Sequence, residues 1–411
     1  MSVSAPSANP HPGMGFRQFV AYIAVLMMAN AMAIDSMLPA LPEIGHALGI
    51  DTANHTQFVV TAYLLGFGAA QIIYGTLSDR FGRKPVLLCG LAIYVVASVV
   101  AAFAGSFAVM MAARAAQGIG AAASRVLAMS IVRDCYSGRQ MARVMSLAFI
   151  VFLAVPILAP SIGQLIMLVA PWRAIFGLLT LFGAVLIAWT VLRLPETLHP
   201  QDRVPISFAG ISHAFMAVVR SRVTIGYMFA MTLVMGGLFG FINSAQQIFA
   251  DAFHASHLFT TVFAMIAVFM ALSSLLNARI VGGLGMRRVS HAALLGYIGV
   301  SMLHLVIVLA GIETIWSFAI MQAALMFCFG LVASNFNAMA MEPVGHVAGT
   351  ASSLLGFVST AGGAVLGFLV GQQFDGTTLP LSIGFASFGA LALVLVLYAE
   401  RGRLFRAHHH P

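Results

Sequence analysis

Charge is scarce in this chain of 411 residues: Asp, Glu, Lys and Arg together make up 8% of it, and Lys84 is its one lysine. A soluble domain carries about a quarter charged residues, so an ordinary water-soluble fold is excluded. Cysteine is scarcer still. Cys89, Cys135 and Cys328 are too widely spaced for a disulfide framework or a C-x-x-C metal site. Acid is scarcer than base, which leaves a net charge of +8. The basic residues sit between apolar runs and not along a polar face. A nucleic-acid partner is therefore not expected, and a lipid bilayer with basic residues along one side is the better reading. No P-loop, H-E-x-x-H or G-x-S-x-G occurs, so nothing points to covalent chemistry or to an enzyme. "GIGAAA", Gly118 to Ala123, formally matches a dinucleotide fingerprint, but it lies inside an apolar run with no strand before it. Residues 1–15 hold no charge and are rich in Pro, Ser, Gly and Ala, which argues for a short disordered tail and against a cleavable signal peptide. The trailing His408, His409 and His410 read as a frayed terminus and not as a metal site.

What the chain does have is apolar length: 61% of it is hydrophobic. A spanning helix needs about 20 apolar residues. Twelve such stretches occur, at 17–39, 56–76, 85–104, 107–132, 140–169, 172–192, 223–250, 258–281, 289–311, 314–338, 344–374 and 379–400. The expected fold is an all-α integral membrane protein with two six-helix pseudo-repeats, 16–192 and 223–400. A cytoplasmic linker, 193–222, joins them, and a tail follows at 401–411. With the N-terminus in the cytoplasm, seventeen of the twenty basic residues fall on the cytoplasmic side. The outer loops then keep only Arg173, beside the acids Glu43, Asp51, Asp251, Glu313 and Asp375. That asymmetry favours both termini inside.

One turn stands out. "GTLSDRFGRKP", residues 75–85, packs Asp79, Arg80, Arg83 and Lys84 between spans 2 and 3. Anchoring explains the basic residues but not Asp79, nor Gly75 and Gly82. The pattern G-x-L-x-D-R-x-G-R-K resembles the signature loop of the major facilitator superfamily. "IDSMLPALPEIG" closing span 1, "RAAQGIGAAASRVLAMSIVRD" in span 4 and "VPILAPSIGQL" in span 5 are similar to its twelve-span drug:proton antiporters of the bicyclomycin- and chloramphenicol-resistance type. The antiporter motif of span 5 usually reads Gly-Pro-x-x-Gly-Gly. Here it is Ala159-Pro160-Ser161-Ile162-Gly163-Gln164, with an additional Pro156 before it. The second half's counterpart of the signature loop, "ARIVGGLGMRRV", has Gly282 where the first half has Asp79. The resemblance implies a monomeric transporter of the bacterial inner membrane that exchanges protons for small, drug-like organic molecules and so confers antibiotic resistance. It needs no cofactor or nucleotide.

Only Asp35, Arg114 and Arg125 lie well inside the spans. An ionisable group at mid-membrane costs about 2.5–3.5 kcal/mol on insertion scales, so such groups are functional candidates. Asp35 and Arg114 fall at similar depth in the outer half. Asp35 is the expected proton carrier and Arg114 the charge that tunes it. Arg125 follows Arg114 by three turns on nearly the same face, with Gln117, Gly118 and Ala121. Gln117 and Arg125 are expected to face substrate. Asn243, Gln246, Gln247, Asn335 and Asn337 are suited equally to face a substrate or to bond between helices, and His304 is read as structural. In the signature turn, Asp79 is expected to latch the first half to the start of span 11 when the cytoplasmic side is closed, with Arg133 nearby. Gly282 implies that the second half lacks an equivalent latch. The reading is a proton-coupled exporter. A proton-coupled importer on the same fold, and a receptor or scaffold without transport, remain open.

Overall fold

The computed structural model describes residues 13–203 and 208–405. The N-terminal tail up to residue 12, the segment 204–207 of the linker, and His408 to His410 lie outside the described residues. Among those described there is no strand. Twelve helices are long and apolar enough to cross a membrane, one for each expected stretch: Phe16–Ala47, Ala53–Phe81, Arg83–Ala102, Phe107–Cys135, Arg139–Val169, Arg173–Arg193, Arg222–Ala252, Ser256–Leu284, Met286–Leu309, Ile315–Gly345, Gly349–Gln372 and Leu379–Ala399. They are spans 1 to 12. Lipid offers the backbone no partner, so a spanning segment satisfies its own polar groups by forming a helix. The chain is a multi-pass membrane protein. Successive spans alternate in direction, so both ends of the bundle and the Gly75–Pro85 turn share one side of the membrane. That is the basic side, and the opposite one is the far side.

Three central spans begin with side-chain caps. Ser106 accepts from the Val109 N–H and Ser221 from the Thr224 N–H, while Thr314 and Ser317 form a reciprocal capping box. Span 11 departs from the expected uninterrupted 344–374. Residues Glu342–Val347 form 3-10 turns with Val344 outside the helical region, the α-helix starts at Ala348, and a π-turn interrupts it at Val358–Gly362. Pro343 lies in this stretch and has no N–H to donate, which removes one bond from the helical ladder there. Span 7 also ends in a π-turn, Ile248–Ala252. The linker holds a helix that the sequence reading did not anticipate, Phe208–Arg220, packed beside the starts of spans 7 and 11.

Packing repeats six spans on. In the first half span 1 lies against spans 4, 5 and 6, span 4 against 2 and 3, and span 3 against 6. In the second half span 7 lies against 10, 11 and 12, span 10 against 8 and 9, and span 9 against 12. The halves meet where span 2 packs on span 11 and span 5 on span 8. Close approach within the first half depends on "GIGAAA". A Cβ at Gly118 would collide with the Tyr63 carbonyl of span 2, and one at Gly120 would lie 2.5 Å from the Tyr94 nitrogen of span 3. The glycines are helix-packing surfaces.

Candidate functional site

Asp35 ends the α-helix Phe16–Asp35 and is only 6% exposed. Its carboxyl group makes no hydrogen bond or ion pair with any described residue. Arg114 is wholly buried and donates to the carbonyl oxygens of Val59 (3.0 Å) and Ala33 (3.1 Å) and to the Gln117 Oε1 (2.5 Å). Its guanidinium also lies 4.5 Å from the centre of the Tyr63 ring. Every one of these partners is neutral. The Ala33 bond sets Arg114 against the last turn of the helix that Asp35 ends. The two groups thus meet at one level without forming an ion pair. Gln117 belongs to the same cluster: its Nε2 donates to Ser98 Oγ at 2.7 Å, and that hydroxyl donates to the Tyr94 carbonyl at 2.7 Å. The amide expected to face substrate is fully buried and bonded at both ends.

Gly163 supports this corner from span 5. A Cβ there would collide with the carbonyl oxygen of Ser36, the residue after Asp35. The helix Gly138–Val169 runs unbroken through Pro156 and Pro160. The whole constellation has an uncharged copy. Ile34-Asp35-Ser36 recurs 208 residues later as Ile242-Asn243-Ser244, Arg114 recurs as Gln322, and Gly163 as Gly371. Ser36 and Ser244 each donate to the carbonyl four residues back, at 2.6 Å in both cases. Asn243 and Gln322 are buried, and their amides find no partner among the described residues.

Arg125 differs from Arg114 in every respect but its face. It is exposed and forms no hydrogen bond or ion pair with a described residue. It lies about 120° around span 4 from the exposed Ile119, and its neighbours Ala121, Ser124 and Ala128 are buried. It therefore lies off the outer stripe of Ala112 and Ile119, on the flank that also carries the exposed Met129. Asn337 of span 10 is exposed, Gln246 is half-buried, and neither is hydrogen-bonded to a described residue. Asn335 bonds between helices instead, to Asn277 of span 8 at 2.7 Å.

At the basic side Arg83 is a hub. Span 2 ends at Phe81, Gly82 turns with φ of +100°, and Arg83 opens span 3. The Arg83 side chain is buried and donates to Ser78 Oγ (2.8 Å), to Asp134 Oδ2 (2.9 Å) and to Asp79. Glu196 accepts the backbone N–H groups of Arg83 (2.8 Å) and Lys84 (3.2 Å), a carboxylate at a helix N-terminus. Lys84 Nζ donates to the Val191 carbonyl at 3.1 Å. Arg80 and Arg133 are exposed. Of the expected latch, the structure brings Gly75 to span 11, where a Cβ would lie 2.9 Å from Ser353 Oγ. Asp79, one turn on, bonds to Arg83 and not to span 11. The second half keeps this hub without an acid at Gly282: Arg287 donates to Glu400 (2.8 Å) and Glu342 (3.2 Å), and Tyr227 donates to Glu400 (2.7 Å). Asp134, Glu196, Glu342 and Glu400 had no role in the sequence reading. The signal was their recurrence after spans 4, 6, 10 and 12.

The sequence reading also missed what fastens the halves together. Gln57 Nε2 donates to Gln247 Oε1 (2.5 Å) and to the Gly371 carbonyl (3.0 Å), and Gln247 Nε2 donates to Asn54 Oδ1 (2.8 Å). Asn54 Nδ2 donates to the carbonyls of Phe374 (2.9 Å) and Gln372 (3.2 Å), while Gln372 Nε2 returns a bond to the Asn54 carbonyl (2.7 Å). Thr260 of span 8 donates to Gln164 at 2.6 Å, so the residue that replaces the motif's last glycine joins the halves. All of these lie on the far side, and one more, Gln71 to Thr360 at 3.2 Å, lies midway along spans 2 and 11. Among the described residues no hydrogen bond joins the halves nearer the basic side than that one. The hydrogen bonds between the halves thus lie on the far side and midway along the spans, and Arg125, nearer the basic side, is exposed.

Comparison with known proteins agrees with this architecture. The family model of the Major Facilitator Superfamily matches residues 23–367. A bicyclomycin resistance protein homolog of Haemophilus influenzae is 30% identical over 380 residues, 92% of this chain and 94% of that protein. The multidrug resistance protein MdtL of Klebsiella pneumoniae is 28% identical, with 92% of this chain and 94% of that protein covered. Among solved structures, a partially occluded inward-open conformation of the xylose transporter XylE from E. coli superposes with a TM-score of 0.75 at 11% identity, over 96% of this chain and 99% of that one. Twelve spans in two matching sets of six, the glycine-bounded Arg83 hub and a family match over most of the sequence lead to one assignment: the chain belongs to the Major Facilitator Superfamily.

Proposed function

We propose that this protein is a proton-coupled exporter of small organic molecules, working by alternating access in a bacterial inner membrane with both termini in the cytoplasm. The observation that carries the reading is Asp35: one buried acid, without a bonded partner, at the level of a buried arginine held only by neutral groups. A bare carboxylate in that setting is an uncompensated charge, whereas the neutral acid is not. Gain and loss of a proton there changes which arrangement of the halves is favoured. The relatives' names, bicyclomycin resistance and multidrug resistance, support export as the direction and drug-like molecules as the cargo. The basic side as the cytoplasmic side is supported by the charge asymmetry. The test uses membrane vesicles and a panel of antibiotics and dyes. Uptake into everted vesicles driven by an acid interior, and lost in Asp35→Asn, is the expected result. Uptake into right-side-out vesicles driven by an acid exterior would make the protein an importer. No proton-driven flux in either orientation would leave a receptor or scaffold.

A further inference from the structure

We propose that the cargo of this transporter carries an anionic group, a carboxylate or an equivalent acid, and that Arg125 is the residue that receives it. The inference rests on the transport reading above and names the class of molecule that reading leaves open. Of the three ionisable groups well inside the membrane, Asp35 is sealed in a corner fastened from the far side. Arg114 is wholly buried, with three hydrogen bonds to protein acceptors. Arg125 is exposed, points away from the outer stripe of span 4, and has no acid among the described residues to pair with. The guanidinium cannot lose its charge and presents a planar fork of donors that matches a carboxylate. No second group in the repeat offsets it: the position 208 residues later is Ala333, and the counterparts of Asp35 and Arg114 are the amides Asn243 and Gln322. A cationic cargo would meet an uncompensated like charge here, and a neutral one would leave the arginine bare when the halves close around it. An anionic cargo removes the charge as the site closes.

The apolar remainder of such a cargo suits the mostly uncharged walls of the spans, so the expected molecule is an aromatic or aliphatic acid, not a sugar phosphate or an inorganic anion. The experiment uses the purified full-length protein in lipid nanodiscs and three probes with one scaffold: naphthalene-2-carboxylate, naphthalene-2-carboxamide and naphthalen-2-ylmethylammonium. The carboxylate is expected to bind at least about tenfold more tightly than the other two, the ratio expected for a charge-assisted bond. Arg125→Gln should abolish that preference by weakening the carboxylate at least about tenfold, and Arg125→Lys should retain part of it. Equal affinity for the three probes overturns the proposal, as does a carboxylate preference that survives in Arg125→Gln. Elution of both variants as monodisperse protein with the wild-type thermal midpoint excludes misfolding as the cause. Proton-driven movement of the carboxylate into everted vesicles is read separately. Arg125-dependent binding without such movement would keep the site and refute the exporter.

Discussion

An ionisable side chain at mid-membrane costs about 2.5–3.5 kcal/mol, and the two arginines of span 4 meet that cost in different ways. Arg114 is enclosed by two carbonyls, an amide and the Tyr63 ring, so part of its role is architectural. Arg114→Lys offers a single ammonium where three separated acceptors were served. It should lower stability by about 1–3 kcal/mol, the cost of leaving buried polar groups unpaired. Ser98→Ala, which removes only the outer link to Gln117, should cost about 0.5–1.5 kcal/mol. Arg125, with no protein partner, should tolerate Gln within about 0.5 kcal/mol. Thermal unfolding of the three variants in detergent checks the order, and an Arg125 variant as unstable as Arg114→Lys would make both arginines structural. Asp35 and both arginines were legible in the sequence because charge inside an apolar run has few explanations. That Gln117 serves Arg114, and that Asp35 forms no ion pair with it, was not. Depth can be counted from span ends, but bonding depends on side-chain direction.

At the scale of the element, span 5 shows what a motif contributes. Gly163 is there because the Ser36 carbonyl occupies the space of a side chain, and Ser36 follows the proton-carrier candidate. Gly163→Val should therefore overpack the contact, cost about 1–3 kcal/mol, and impair proton-driven flux more than binding of a test solute. An equal effect on both would mean general disruption of the bundle. The departure at Gln164 has the opposite character: it adds a cross-half bond to Thr260. Gln164→Gly, which restores the usual pattern, should loosen the far side without unfolding span 5. All twelve spans were legible because each has to be apolar for about 20 residues. The linker helix Phe208–Arg220 was not, since thirteen residues beside a long apolar chain carry no comparable constraint. The π-turn inside span 11 was equally hidden, because a single extra residue in a helical turn leaves the hydrophobic run intact.

For the whole molecule, the halves are bonded on the far side by amides of Asn54, Gln57, Gln247 and Gln372, while Arg125 is exposed. Amide pairs have no spacing signature, so this fastening could not be read from the sequence, whereas the Arg83 turn could. None of the fastening groups titrates, so a proton has to act on it from elsewhere. Removing part of it, in Gln57→Leu with Gln372→Leu, should shift the population toward the far-side-open form by roughly tenfold for every 1.4 kcal/mol of bonding lost, read as longer spin-label distances across the far side. The Asp79→Ala variant should bias the molecule toward the basic-side-open form, if Asp79 engages span 11 when that side is closed. The most direct test of proton coupling itself combines the two scales. Spin labels on the far-side ends of spans 1 and 7 report the distance between the halves as pH is raised in nanodiscs. In the wild type, loss of the Asp35 proton leaves a buried bare carboxylate, and the far side is expected to open as pH rises. Asp35→Asn, a permanent mimic of the neutral acid, is expected to hold the short distance at every pH. A variant that opens with pH just as the wild type does would contradict the account, because the proton that moves the halves would then bind somewhere other than Asp35.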